Sequence, residues 1–265
     1  MIEKLEELQA ALEQTSLEGR EAIRLDVLDT REAAFAIRIE PDEVLSAWRV
    51  ARGLVGATGR WPVVVSCIGP LDGGDEMAWR DRVVTADLFS RTEFEGDPPG
   101  LDVSPAAVID RSRSAAVDPF VDSLLADHPE EYLSAESTVP DEHLGGHLEW
   151  FEPEEATAII LLPRATSEAA LAYIGFFGAW GDGAVAFVAL ARRWREMYGA
   201  ELVAHYGTML EFVVEHPPAS FEQACTLARE QLAFALCTTY LPSLTLGDHA
   251  RSLVGRDTWF LHQRP

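Results

Sequence analysis

Long apolar runs, patterned cysteines and basic residues are what this sequence has least of. No apolar stretch approaches the roughly 18 residues that a membrane span requires, so no transmembrane helix is expected. The opening MIEKLEELQAALEQ is charged and amphipathic, without a secretory h-region, which predicts a cytoplasmic location. Cysteine occurs three times, at Cys67, Cys225 and Cys237, with no C-x-x-C spacing. That excludes an even disulfide framework and leaves buried thiols packing as small hydrophobes. Lysine and arginine number 21 against 44 aspartates and glutamates, a formal net charge of -23. Nucleic-acid backbones and anionic membranes would repel such a chain, so neither is expected as a partner. Walker and dinucleotide fingerprints, a Gly-x-Ser-x-Gly elbow and a matched Cys–His signature are all missing, and no cofactor is implied.

Present instead is enough hydrophobic material for a real core, 48% of residues, and clear periodicity. Ile2, Leu5, Leu8 and Leu12 predict a first helix. Segments 22–28 and 33–39 alternate as two strands around a turn at Asp29–Glu32. A helix is predicted from Pro41, with Asp42 and Glu43 in its first turn and Gly56 at its end. The run from Pro62 to Cys67 and the run ATAIILLP (156–163) are nearly all apolar and read as interior strands. Ala184–Tyr198 predicts a helix closed by Gly199. ELVAHY and MLEFVV form a hairpin about Gly207-Thr208, ended by Pro217 and Pro218. Ser220 and Gln223 form a capping box for a further helix, whose stripe includes Phe221, Ala224, Ala228, Leu232 and Leu236. A short helix over 246–254 and a strand over 257–262 complete the chain. The mixture of hairpins and crossovers predicts an α+β fold, a mixed β-sheet flanked by helices with a helical acidic insertion.

The acids are unevenly spread. Residues 1–153 hold 32 of them and residues 154–265 only 12. Residues 72–155 hold 22 acids against 5 arginines, punctuated by glycine and proline but still carrying helix-like apolar stripes. The expected organisation is 1–71 joining the core, 72–155 as an acidic, mainly helical elaboration, and 156–265 as a C-terminal α+β core.

Several constellations could carry chemistry. His143 and His147 lie four apart beside Asp141, Glu142 and Glu149, a spacing that puts two imidazoles on one helix face for a metal. Gly145-Gly146 between them opposes that helix, and exposed loop histidines are the plainer account. Trp180-Gly181-Asp182-Gly183 precedes a helix, where exposed N–H groups can take an anion. Asp182 as a simple cap explains the same residues. Glu211, with Glu215 and His205, could converge as an acid–base group, but that needs a strand register that periodicity does not fix. Exposed carboxylates on a half-buried strand are the simpler expectation. Gln231 falls near a buried helical stripe, as a satisfied core amide or a pocket residue.

TGRWPVVV (58–65), Gly178-Ala179-Trp180, RRWREMYGAELV (192–203), LEFVVEHPP (210–218), AREQLAF (228–234) and Thr258-Trp259-Phe260 together resemble one bacterial family, the domain of unknown function 4253. The resemblance is strongest in the C-terminal third and implies no reaction. Where relatives carry Gly-Gly-Trp-Asn and then Cys-Pro, this chain has Gly178 to Ala184 as GAWGDGA.

Two functions are expected from these features, beside a third reading in which the acidic surface is plainly solubilising and the binding role unknown. One is a protein-binding module, immunity-like or inhibitory, that meets a basic protein partner through its acidic face. The alternative is a small-molecule- or metal-dependent enzyme with a pocket near Trp180, Asp182, Glu211 and Gln231.

Overall fold

A computed structural model describes residues 1–27, 30–66, 78–85, 89, 104–137, 139–153, 157–179 and 182–264. Cys67, Trp180, Gly181 and the acidic residues within 72–77, 86–88, 90–103 and 154–155 lie outside the described residues.

One sheet organises the molecule. Its strands are β1 (Ala22–Asp26), β2 (Ala33–Ile39), β3 (Trp61–Ser66), β4 (Thr157–Leu162), β5 (Glu201–His205), β6 (Met209–Val213) and β7 (Thr258–His262), in the spatial order β1-β2-β4-β3-β5-β6-β7. Every pairing is antiparallel except β3 with β5. The sheet is therefore mixed, and strands from the first and last thirds of the chain share it. Central β4 is buried at all its positions, and β2 at all but Arg38, as continuous apolar runs covered on both faces require.

Pro62 sits in β3, although proline normally avoids central strands because it cannot donate to a ladder. Side chains supply the bonding here. Trp61 Nε1 donates to the Leu202 carbonyl at 3.1 Å, Ser167 Oγ accepts the Leu202 N–H at 2.6 Å, and Trp48 Nε1 donates to the Pro62 carbonyl at 3.1 Å.

The helices are α1 (Leu5–Leu12), α2 (Val44–Gly53), α3 (Val55–Thr58), α4 (Trp79–Thr85), α5 (Pro105–Ser112), α6 (Val117–Ala126), α7 (Ser167–Ala170), α8 (Asp182–Tyr198), α9 (Phe221–Phe234), α10 (Cys237–Tyr240) and α11 (Leu246–Leu253). Helices α1, α2, α8, α9 and α11 begin and end within a few residues of where they were expected, but α3 and α10 were not expected. Gly56 lies inside α3 instead of ending the helix, the left-handed cap falling on Gly59 at φ 69°, and Phe221 is exposed instead of joining the α9 stripe. The helix expected at Pro41 opens as a 3-10 turn, Pro41–Glu43. Helix α8 already includes Asp182. At α9, Ser220 Oγ accepts the Gln223 N–H as expected, but Gln223 Oε1 reaches past the cap and accepts from Ala219 N at 3.0 Å. Leu236 lies beyond the end of α9, in the turn that leads to α10.

One face of the C-terminal half of the sheet carries an aromatic core. Trp194 of α8 meets Phe212 and Trp259 edge-on, with centroids 5.9 and 6.0 Å away, and Phe187 contacts Phe234 at 4.8 Å. Trp194 Nε1 donates to the buried Glu230 carboxylate at 2.7 Å, which also receives Arg193 at 2.7 Å. Helix α5 packs on α8, and α6 packs on α8 and α9. Cys225 and Cys237 are free and half-buried.

Arg60 is a second buried knot. It is 2% exposed, and among the described residues its guanidinium bonds only to carbonyls, those of Ile2, Ala33 and Leu161, and lies 4.6 Å from the Phe35 ring. No carboxylate among the described residues contacts this cation, and burial lowers its pKa.

Candidate functional site

The site follows from strand register. In β6, Leu210 pairs with His205 and Glu211 with Ala204, after an irregularity between Leu202 and Ala204 in β5. On the other side Phe212 pairs with Trp259 and Glu211 with Phe260. Neighbouring residues of a strand face opposite ways. His205 therefore sits with Leu210, Phe212 and the aromatic core, where its ring meets Phe176 edge-on at 6.3 Å. Glu211 faces the opposite side. His205 and Glu211 do not converge, and Glu215 lies out in solvent with a side chain 76% exposed.

Glu211 is not the exposed strand carboxylate expected from alternation. It is 0% exposed. Its Oε1 accepts the Phe151 N–H at 2.8 Å, while Oε2 has no hydrogen-bond partner among the described residues. A carboxylate stripped of water and given one hydrogen bond is costly to charge. Burial pushes this carboxyl up to about 8, against the single lowering influence of the Phe151 N–H.

Above Glu211 lies a cleft of about 440 Å³, within the range of small-molecule sites. Pro41 from the 3-10 turn and Val44 and Leu45 from the start of α2 form one wall, and Trp150, Phe151 and Pro153 another. Asp42 and Glu152 are the other two acids in the lining, which contains no Lys, Arg or His among the described residues. Trp150 Nε1 and the Tyr206 hydroxyl are likewise buried without partners among the described residues. Tyr206 packs its ring on Phe151 at 5.3 Å, and its pKa is raised by burial and then by the nearby Glu211.

A second buried polar group lies on α9 and α11. His249 Nε2 is 2.8 Å from Gln231 Oε1, and His249 Nδ1 is 3.0 Å from His147 Nε2. With the Gln231 amide oxygen turned to His249, that oxygen accepts, His249 carries its proton on Nε2, and His249 Nδ1 accepts from His147; the Gln231 amide nitrogen is then buried without a partner among the described residues. His147 Nδ1 is then a bare lone pair, buried without a partner among the described residues. Both rings are held neutral. Burial and the nearby Arg256 lower His147 to about 4, and burial takes His249 well below its ordinary value.

Of the residues singled out in the sequence, His147 and Gln231 are thus joined through His249, and Glu211 floors a separate cleft. His143 is exposed on the 3-10 turn Asp141–His143, and Gly145, at φ 92°, breaks the helix that would have aligned it with His147. No group of three or more His, Cys, Asp or Glu among the described residues is arranged to hold a metal ion. Trp180 lies outside the described residues, so the pocket expected around it is not described; nor is the side chain of Asp182. His249 escaped notice in the sequence, though it lies on the Leu246–Ala250–Leu253 stripe of its helix, a signal of burial. Trp150 and Phe151, which stand between Glu149 and Glu152, were not singled out in the sequence.

Residues 158–262 match the family model for a domain of unknown function, DUF4253. Glu211, Gln231 and His249 fall inside that span; His147, Trp150 and Phe151 precede it. No curated protein and no solved structure matches the chain. No helix among the described residues is long and apolar enough to cross a membrane.

Proposed function

We propose that this chain binds a small organic molecule in the cleft above Glu211, in a bacterial cytoplasm. One observation carries the proposal: a fully buried carboxyl, with one oxygen unpaired, floors a cleft of about 440 Å³ that two other segments wall. An unsatisfied buried polar atom costs about 1–3 kcal/mol. A fold keeps such an atom more readily where a ligand repays it. A carboxyl that titrates near neutral pH can also give up and recover a proton, so an enzyme is the natural extension of this reading.

The test is a fragment screen by ligand-observed NMR on the full chain. Leu45→Trp fills the cleft from a partly exposed wall position and serves as the control. Hits should lose at least about tenfold in affinity in the variant, equivalent to ~1.4 kcal/mol. A screen whose hits all bind Leu45→Trp unchanged, or that gives none at millimolar concentration, would sink the proposal.

A second reading keeps the basic protein partner. Glu130, Glu131, Glu136, Glu142 and Glu149 are exposed and form no ion pair among the described residues. Asp118 and Asp122, by contrast, turn to Arg193 and Arg229 at 2.6 and 3.1 Å. Capture from the native host at low and high salt tests it, and failure to recover a salt-sensitive basic protein removes it.

A further inference from the structure

The chemistry of the cleft narrows what it can hold, provided that the cleft is the binding site as proposed above. The lining combines an apolar wall (Pro41, Val44, Leu45), two aromatic residues (Trp150, Phe151) and three acids with no basic side chain among the described residues. An anionic ligand would meet like charge at Asp42 and Glu152 on entry. A neutral apolar one would leave the Glu211 oxygen as unsatisfied as before. A neutral polar one could bond Glu211 but would not answer the charge of Asp42 and Glu152. A positive group does both, and indole or phenyl faces attract cations as well as apolar bodies.

We infer that the cleft takes an organic ammonium with an apolar or aromatic body, its nitrogen drawn to the Glu211 carboxyl at the cleft floor, and that binding expels the Glu211 proton to solvent.

The proton follows from the hydrogen bond already present. Phe151 N–H donates to Oε1, so the acid proton of the free protein sits on Oε2. The titratable groups around it are Tyr206 just past β5, Asp42 from the turn before α2, Glu152 from the 150–153 segment and His262, two residues beyond its β7 partner on the same face, which burial and then Arg264 lower from its ordinary value; none is positive at neutral pH. Burial alone therefore keeps Glu211 protonated at neutral pH, where its carboxyl titrates at about 8. A bound ammonium supplies the missing counter-charge and lowers that value. The O–H bond of Oε2 breaks, its proton passes to buffer, and the ammonium keeps its own protons in a carboxylate–ammonium pair.

Three probes share one phenylethyl body: phenethylammonium, 2-phenylethanol and 3-phenylpropionate. Calorimetric titration of the full chain at pH 7, in phosphate and in Tris, gives affinity and proton count together. Phenethylammonium should bind at least about tenfold tighter than the other two and release close to one proton. Glu211→Gln keeps the shape, and should abolish both the release and the preference. Melting curves establish that this variant and Leu45→Trp are folded. Equal or tighter binding of the alcohol or the carboxylate, lost in Leu45→Trp, would overturn the ammonium assignment while leaving the cleft reading standing. Binding of phenethylammonium without proton release overturns it too, as does saturation by none of the three at millimolar concentration. The cleft reading itself stands or falls with the fragment screen.

Discussion

Glu211 shows how much one side chain can set by its place in a strand. Its folded-state pKa lies above that of an unfolded glutamate, so the folded protein holds this proton more tightly than the unfolded chain does. The stabilising effect is complete below about pH 4.5. It is lost as pH rises through the folded value of about 8. His147 and His205 act in the opposite direction. Burial lowers both to about 4, so their neutral forms favour the fold increasingly as pH climbs from there towards the unfolded value. The melting temperature should rise from about pH 4 to 6 and fall between about pH 6 and 8. Glu211→Gln should shrink the fall, to which the Glu230 carboxyl, also raised by burial, contributes with the same sign, and should leave the rise. Fluorimetric melting across that range checks this, and an unchanged alkaline decline in the variant would refute the assignment. The residue itself was visible in the sequence as one carboxylate of a candidate group. Its burial was not, because alternation says which residues share a face but not what lies over that face. The cover comes from Trp150 and Phe151, about sixty positions earlier in the chain, and no local pattern encodes that meeting.

Elements were the most legible level. The apolar stripe of α8, the serine cap of α9 and the glycine after Tyr198 are local signals with local causes, and the structure places those elements where the signals do. What local signals missed was exchange between partners: Gln223 bonding Ala219, or side chains standing in for a ladder beside Pro62. Helix α6 offers a test of which forces dock the acidic segment. Val117, Val121 and Leu125 are buried, and Phe120 stacks on Phe234 with centroids 6.0 Å apart. Its ion pairs are exposed: the Asp122 and Arg229 side chains are 69% and 48% accessible. Exposed pairs contribute about 0–1 kcal/mol, whereas truncating a buried leucine costs about 2–5. Urea unfolding should therefore find Leu125→Ala destabilised by about 2–4 kcal/mol and Asp122→Asn by less than about 1. The reverse order would mean that charge, not burial, attaches α6.

For the whole molecule, the dominant quantity is a net charge of -23. Like charge confined to a compact body repels itself, and salt screens that repulsion over about 8–10 Å. Raising sodium chloride from a few millimolar to about 0.15 M should raise the melting temperature. A flat or falling response would show that the inward pairs, such as Glu168 with Arg195 at 3.0 Å and Arg52 with Glu201, outweigh the repulsion.

The strand order also has a bearing on how the chain is made. β2 and β3 are not neighbours; β4 lies between them, almost a hundred residues after β3 in the chain. A ribosome releasing the chain from its N-terminus therefore completes the first three strands well before the one that joins them. Until residues 157–162 emerge, the inner edge of β2 and both edges of β3 have no lateral mate, and unmated edges of this kind recruit other chains. The nascent protein spends that interval of synthesis as one hairpin and one lone strand waiting for their keystone.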